Sequence, residues 1–478
     1  MLARPVLDFY ATLPPWAREI IPILVLLVVI TLVVSRLPKV DVGHSAAFRQ
    51  RRVLNWLPVG LTYAFLYMGR YNLTAFKNAV DMSNDAYGTI DMWGAVIYGV
   101  SFIINGPLTD KIGGRKTILM AALGAGAMNV AMGFLALRGW TEDKTWMFAA
   151  LYAANMYFQS FGAVSIVKVN AAWFHVRERG TFGGIFGILI SLGLYFAYDW
   201  SRKIAEGVSP PWVFFIPPMI LFVLAIADFI WVRDTPADAG QKDFDPEDAS
   251  SGDTGPRLGL LAVAKRMLTS PVILVIASIE FFSGFLRNAI MKWYPVFAKA
   301  TGIKDTFVPE NWGLLLCCAG ILGGMLAGVI SDHVFGSRRG PVASLLYGGM
   351  LAGSGIVAAT LGGPLVGWTV VVMSLCIIGV HGMLSGTASM DFGGKRNVGV
   401  AVGIIDGFVY LGTAAQALTL KHLLPDGPAA ADPHNWWTWP VALAPAALIG
   451  LLLATRVWNA RPGSSSPSGA GAKPAPAH

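Results

Sequence analysis

GPLTDKIGGRK, residues 106–116, and GVISDHVFGSRRG, residues 328–340, carry the same order of features: a glycine, an aspartate four residues on, then glycine and a pair of basic residues. Each closes an apolar stretch of membrane-spanning length. Each also follows an arginine set within the preceding apolar stretch, since Arg70 lies 40 residues before Asp110 and Arg287 lies 45 before Asp332. Gly106 and Gly113 permit a tight helix-to-helix turn and close packing, while Asp110 can pair with a basic side chain or cap a helix end. Lys111, Arg115 and Lys116, with Asp332, Arg338 and Arg339 in the second copy, complete a candidate gating element. The plainer reading is a basic loop that only sets topology.

Working outward, 55% of the 478 residues are apolar or aromatic and only 13% are charged, against about 25% in soluble domains. That excludes an ordinary soluble enzyme. The aromatic and apolar content also excludes a disordered chain. The net charge of +8 comes from Lys and Arg in short loops, which mark a cytoplasmic face and need no nucleic acid. Cys317, Cys318 and Cys376 lie in apolar stretches with no ligand at metal spacing, so no disulfide framework, metal site or cofactor follows.

At about 20 apolar residues per crossing, twelve spans run from 55–77 to 437–458, and a further apolar stretch precedes them at 17–36. That stretch reads as an uncleaved anchor helix. Arg36 to Arg52, Lys111 to Lys116, Arg177 with Arg179, Arg233 to Arg266, Arg338 with Arg339, Lys395 with Arg396, and Arg456 with Arg461 fall in alternate loops, which are therefore cytoplasmic. The organisation is an anchor helix and linker (1–49), a six-helix lobe (50–233), a polar connector (234–268), a second six-helix lobe (269–460) and a low-complexity tail (461–478). A repeat about an axis along the membrane normal places a binding site at the midplane, between lobes whose rocking alternates access.

The loop is similar to the signature of the major facilitator superfamily. LTYAFLYMGRYNL (residues 61–73), FLRNAIMKWYPVF (285–297), SDHVFGSRRGP and DGFVYLG resemble the organophosphate:phosphate antiporters within it, which include glycerol-3-phosphate and hexose-phosphate exchangers. The fold expected is an all-α polytopic membrane protein, two six-helix bundles of the major facilitator type plus one extra N-terminal transmembrane helix.

A charged side chain in a spanning helix costs at least about 2.5–3.5 kcal/mol, so it normally faces a cavity and carries function. Arg70 and Arg287 come at comparable depth in pseudo-equivalent helices. Two guanidiniums in one cavity repel unless an anion lies between them, and arginine grips phosphate oxygens through a planar fork. The resemblance implies the same, because the family's two phosphate-binding arginines fall on these positions. The competing reading pairs each with a local acid such as Asp91 or Glu280. The family's cavity tyrosines carry over in part as Tyr63, Tyr67, Tyr98 and Tyr410. Phe102 and Ala172 stand where the glycerol-phosphate exchangers have a lysine and a histidine. Lys168, Lys292, His381 and Asp406 are further candidates for the substrate site, each with a structural alternative. Asp199 and Asp228 read as interfacial.

These features point to a secondary transporter of a small organic anion, with a phosphorylated metabolite exchanged for inorganic phosphate. The alternatives are a proton- or sodium-coupled symporter using Asp406 or His381, and a transporter-like sensor acting through the extra helix. No GxxxxGK[ST] or catalytic constellation points to an ATP-driven pump or an enzyme. The partners expected are the bilayer, the anion and phosphate, in a bacterial inner membrane. No protein partner for the N-terminal helix is identified.

Overall fold

The computed structural model describes residues 14–36, 42–175, 178–245, 265, 268–269, 271–335 and 338–459. Arg177, most of the connector and the tail lie outside them, as do the side chains of Asp332, Lys395 and Arg396. Thirteen main helices follow one another: α1 Pro15–Arg36, α2 Ala46–Val80, α3 Asn84–Ile112, α4 Gly114–Ala136, α5 Thr145–Ala171, α6 Arg179–Tyr195, α7 Ile216–Trp231, α8 Pro271–Met291, α9 Trp312–Val329, α10 Arg339–Thr360, α11 Leu365–His381, α12 Ala388–Leu423 and α13 Thr438–Arg456. Helix α8 continues outward as Trp293–Ala300, and α6 continues through Phe196–Trp200 into Ser201–Gly207.

Among the described residues, nine helical stretches are long and apolar enough to cross a membrane. Four of the thirteen, α1, α2, α5 and α6, are missing from that set, α2 and α5 although they are long helices packed within the first half. For those two the reason is compositional. Helix α2 carries Arg49, Arg51, Arg52, Arg70 and Lys77, and α5 buries Asn155, Gln159, Ser160 and Ser165. Polar groups turned inward are satisfied there by neighbouring helices rather than by lipid.

Side-chain caps fix several ends. The Ser45 hydroxyl accepts the Phe48 N–H at 3.1 Å and opens α2, and Ser83 does the same for Ala86 at the start of α3. On the cytoplasmic face Glu178 accepts Arg52 at 2.9 Å and lies 3.5 Å from His44. His44 stacks on Phe48 and meets Phe244 edge-on, and its burial there pushes the imidazole below its ordinary pKa.

Helices α2–α7 pack on one another, as do α8–α13, and the two halves meet where α3 lies along α12 and α6 along α9. Glycine sets the first seam. A Cβ on Gly403 would come within 2.5 Å of the Phe102 carbonyl oxygen, and one on Gly99 within 2.9 Å of the Gly407 carbonyl oxygen, so small residues let these backbones touch. At the second seam Asp199 accepts the N–H groups of Gly313 and Leu314 at 2.7 and 2.9 Å, capping the first turn of α9 from the other half. Asp199 is thus buried and caps a helix across the halves. Asp228 is fully buried as well, and accepts the Thr62 hydroxyl at 2.7 Å.

Further bonds join the halves on the outer side. Lys292 pairs with Asp91, whose second oxygen accepts Asn288 at 2.9 Å, and Asn288 also donates to Gln416. Beyond that layer Lys299 pairs with Asp81, Lys421 with Asp85 at 3.0 Å, and the Asn84 N–H donates to Asp426 at 2.6 Å. Among the described residues, bonds between the halves include Arg70 with Tyr410 and the layers around Asp91, Asp199 and Lys421.

Asp91 and Lys292 are both almost fully buried. Removing one partner strands a charge at about 3–5 kcal/mol, whereas removing both does not. Thermal unfolding in detergent should show Asp91→Asn and Lys292→Met each strongly destabilised and the double variant recovering much of the loss. Additive losses would contradict the pairing.

Candidate functional site

Arg70 sits at the middle of α2 and is 1% exposed. Its guanidinium carbon lies 4.5 Å from the Tyr67 ring centre, 4.7 Å from that of Tyr98 and 6.0 Å from that of Tyr410, so π faces surround the cation. Nε donates to Gln159 Oε1 at 2.9 Å and Nη1 to the Tyr410 hydroxyl at 3.1 Å. Nη2 is buried with no hydrogen-bond partner, and so is the Tyr98 hydroxyl. Arg287 comes from α8 in the other half and lies 5.6 Å from the same Tyr410 ring. It is 6% exposed and makes no hydrogen bond or ion pair among the described residues. Tyr63 forms a second row, edge-on to Tyr67 at 5.2 Å.

The acids that might have neutralised the arginines are engaged elsewhere. Asp91 holds Lys292, and Glu280 Oε2 lies 2.9 Å from His381 Nδ1. One carboxylate oxygen of the fully buried Glu280 keeps no partner. Asp406 accepts the Ser385 hydroxyl. Glu280 and Asp406 remain within electrostatic reach of Arg287, whereas no carboxylate hydrogen-bonds Arg70 among the described residues. Burying two such cations without a bound acid leaves a strong preference for an incoming anion.

Arg70 is held by uncharged groups that the sequence reading passed over. Gln159 Nε2 donates to Asn155 at 3.1 Å, Asn155 donates to the Gly69 carbonyl at 3.1 Å, and Asn129 donates to both the Gly69 carbonyl (3.2 Å) and Asn155 (3.0 Å). Asn72 donates to Asn129 at 2.8 Å, and the Tyr152 hydroxyl to the Arg70 carbonyl at 2.8 Å. Asn72, Asn129, Asn155 and Gln159 are all fully buried. A neutral amide oxygen orients the guanidinium without cancelling its charge. The available signal was Asn155 and Gln159 one turn apart in a span with no other need for amides.

Both lysines expected at the site pair with a carboxylate, and Lys292 stays within electrostatic reach of Arg70 and Tyr410. Lys168 pairs with Asp110 at 2.7 Å, within its own half. Lys292 belongs to the outer layer through Asp91, with its ammonium 5.3 Å from the Tyr71 ring centre. Phe102 fills the space beside the tyrosines, stacked parallel to Tyr410 at 5.6 Å, while Ala172 lies just past the end of α5.

The glycine-rich loops make bonds within their own halves, and the first also meets the other half. Gly106 packs against α12 near Gly403, and Gly113, at φ +100°, ends α3 beside Asp234, where a Cβ would come within 2.6 Å of a carboxylate oxygen. Asp234 accepts the Arg115 N–H at 2.8 Å, and Arg115 Nη2 donates to the Phe229 carbonyl at 2.6 Å. Lys111 and Lys116 are exposed. In the second loop Arg338 donates to the Phe335 carbonyl at 3.0 Å and Arg339 to the Met383 carbonyl at 3.3 Å.

The chain has relatives among known proteins. The sequence profile of the Major Facilitator Superfamily matches residues 59–417. The chain is 25% identical over 453 residues to the glycerol-3-phosphate transporter of Bacillus subtilis (strain 168), covering 88% of this chain and 95% of that one. It is 24% identical over 450 residues to the membrane sensor protein UhpC of Escherichia coli (strain K12), with the same coverage. It is also 24% identical over 428 residues to a probable hexose phosphate transport protein of Chlamydia trachomatis, covering 84% and 89%. A bacterial homologue of the human lysosomal transporter Spinster shares the fold at a TM-score of 0.65 and 12% identity, covering 88% of this chain and all of that one. The protein is thus an all-α, multi-pass membrane protein of transporter type and not an enzyme. It belongs to the Major Facilitator Superfamily and, within it, resembles the organophosphate:phosphate antiporters.

Proposed function

We propose that the protein exchanges a phosphorylated metabolite for inorganic phosphate across a bacterial inner membrane by alternating access. One observation carries this reading: two buried arginines, one from each half, flank Tyr410 with no ion pair of their own. A phosphate bound there takes the free Nη2 of Arg70, the Arg287 guanidinium and the unpartnered Tyr98 hydroxyl together, drawing the halves onto one ligand. Tyr63, Tyr67 and Tyr410 wall the site. His381 and Asp406, with Glu280, contact the organic group. The outer side is sealed, so this state releases substrate inward, and outward opening requires the layers of Asp91, Lys292 and Asp199 to part. The relatives named as glycerol-3-phosphate and hexose phosphate transporters agree with this substrate class.

A second reading has support in particular residues. Two hydrogen-bonded pairs, Glu280 with His381 and Ser385 with Asp406, lie within electrostatic reach of Arg287, and intramembrane acids and histidines of this kind take up protons in coupled carriers. A sensor reading rests on the relative named as one. A sensor binds the anion without exchanging it.

Labelled phosphate uptake into proteoliposomes preloaded with phosphate tests the proposal. The parent should exchange without an imposed proton or sodium gradient, and Arg70→Ala or Arg287→Ala should each cut exchange about tenfold to a hundredfold, the loss of a charge-assisted bond. A folded parent that exchanges nothing, or only with a cation gradient, sinks it.

Gln159 supplies a finer check. Gln159→Glu is isosteric but places a carboxylate against Arg70, so phosphate affinity should fall about tenfold or more. Gln159→Leu keeps the free charge and should cost less. The reverse order in a phosphate titration would contradict the role given to the amide.

A further inference from the structure

The twelve helices of the two halves account for the carrier, and α1 stands outside both. Its placement is specific. Leu26, 4% exposed, sits in one apolar cluster with Ile188 and Tyr195 of α6 and with Leu314, Cys317 and Ile321 of α9. Val29 and Ile30 pack against the same cluster. Helix α6 belongs to the first half and α9 to the second, so α1 spans the seam between them. Its remaining face is about half exposed at Ile23, Leu24, Leu27 and Val28, as suits lipid.

The residues it touches frame the polar lock at that seam. Leu314 is one of the two N–H donors to Asp199, and Tyr195 is one turn before Asp199 on the same helical run. Between helices in lipid there is no hydrophobic driving force, so association depends on close fit. A helix fitted to two walls at once holds only while those walls keep their spacing.

We propose that α1 is a clip across the α6–α9 seam that favours the outer-closed state and slows outward opening. The inference rests on the alternating-access reading above. Opening outward parts Asp199 from the first turn of α9, and α1 must then release one wall. Anything that binds only the outward-open state works against this contact, and the equilibrium shifts by the difference in fit between the two states.

The test uses exposure of the outer seam rather than transport. With Cys317, Cys318 and Cys376 changed to Ala, Thr89→Cys provides a reporter on α3, where the native threonine is buried beside Lys421. Its initial rate of labelling by a membrane-impermeant maleimide is compared in the full chain, in Leu26→Ala and in a chain lacking residues 1–40. Both changes should raise the rate about threefold to tenfold. Separately, Leu26→Cys in the otherwise native chain should form a short-reagent crosslink to Cys317. Failure of that crosslink overturns the proposal, and so does an unchanged rate in Leu26→Ala, whatever the truncated chain does. If labelling rises while phosphate exchange is absent, the transport reading falls and the clip stands.

Discussion

Two guanidinium groups buried near one tyrosine ring, neither ion-paired, set the terms for the rest of this molecule. Arginine does not give up its proton in proteins, so the positive charge cannot be removed by titration. It is tolerated through the aromatic faces of Tyr67, Tyr98 and Tyr410 and the amide of Gln159. Such groups soften the cost of burial and leave the net charge in place. The surrounding acids are engaged elsewhere: Asp91 with Lys292, Asp110 with Lys168, and Glu280 in a hydrogen bond to His381.

The two arginines are not equivalent. Arg70 is fixed by side-chain and backbone hydrogen bonds into a network of four buried amides spread over α2, α4 and α5. Arg287 has the Tyr410 ring and two carboxylates within electrostatic reach. The first half offers a rigid cationic anchor and the second a mixed-charge surface. That division suits a ligand with a phosphate at one end and hydrogen-bond donors at the other. The seams between the halves differ in kind, with close glycine contacts along α3 and α12 and ionic pairs at Asp91–Lys292 and Asp81–Lys299.

Much of this was legible in the sequence because charge is rare in it. Apolar runs of spanning length marked the helices, α2 and α5 included, loop lysines and arginines gave their orientation, and the repeated Gly-Asp-Gly-basic block gave the twofold plan. The depths of Arg70 and Arg287 were readable for the same reason. Azimuth and long-range partners were not. Lys168 and Lys292 lie at plausible depths, yet their partners come from other helices, Asp91 being 201 residues from Lys292, and single-sequence periodicity carries no such information. The amide network escaped because Asn and Gln have no spacing that distinguishes a relay from a polar face. The place of Asp199 near a span end was visible, whereas the helix terminus that it caps belongs to the other half and was not. Helix α1 is apolar on nearly every side, so its sequence could not say which face meets protein.

The most direct measurement is equilibrium binding of inorganic phosphate to the purified protein across a cycle of the parent, Arg70→Lys, Arg287→Lys and the double variant. If one phosphate bridges both arginines, the parent binds one phosphate per chain and the two single losses fail to add, with a coupling of about 1–3 kcal/mol. Two independent sites, or losses that add in full, would show that the arginines do not share an anion and would contradict the account.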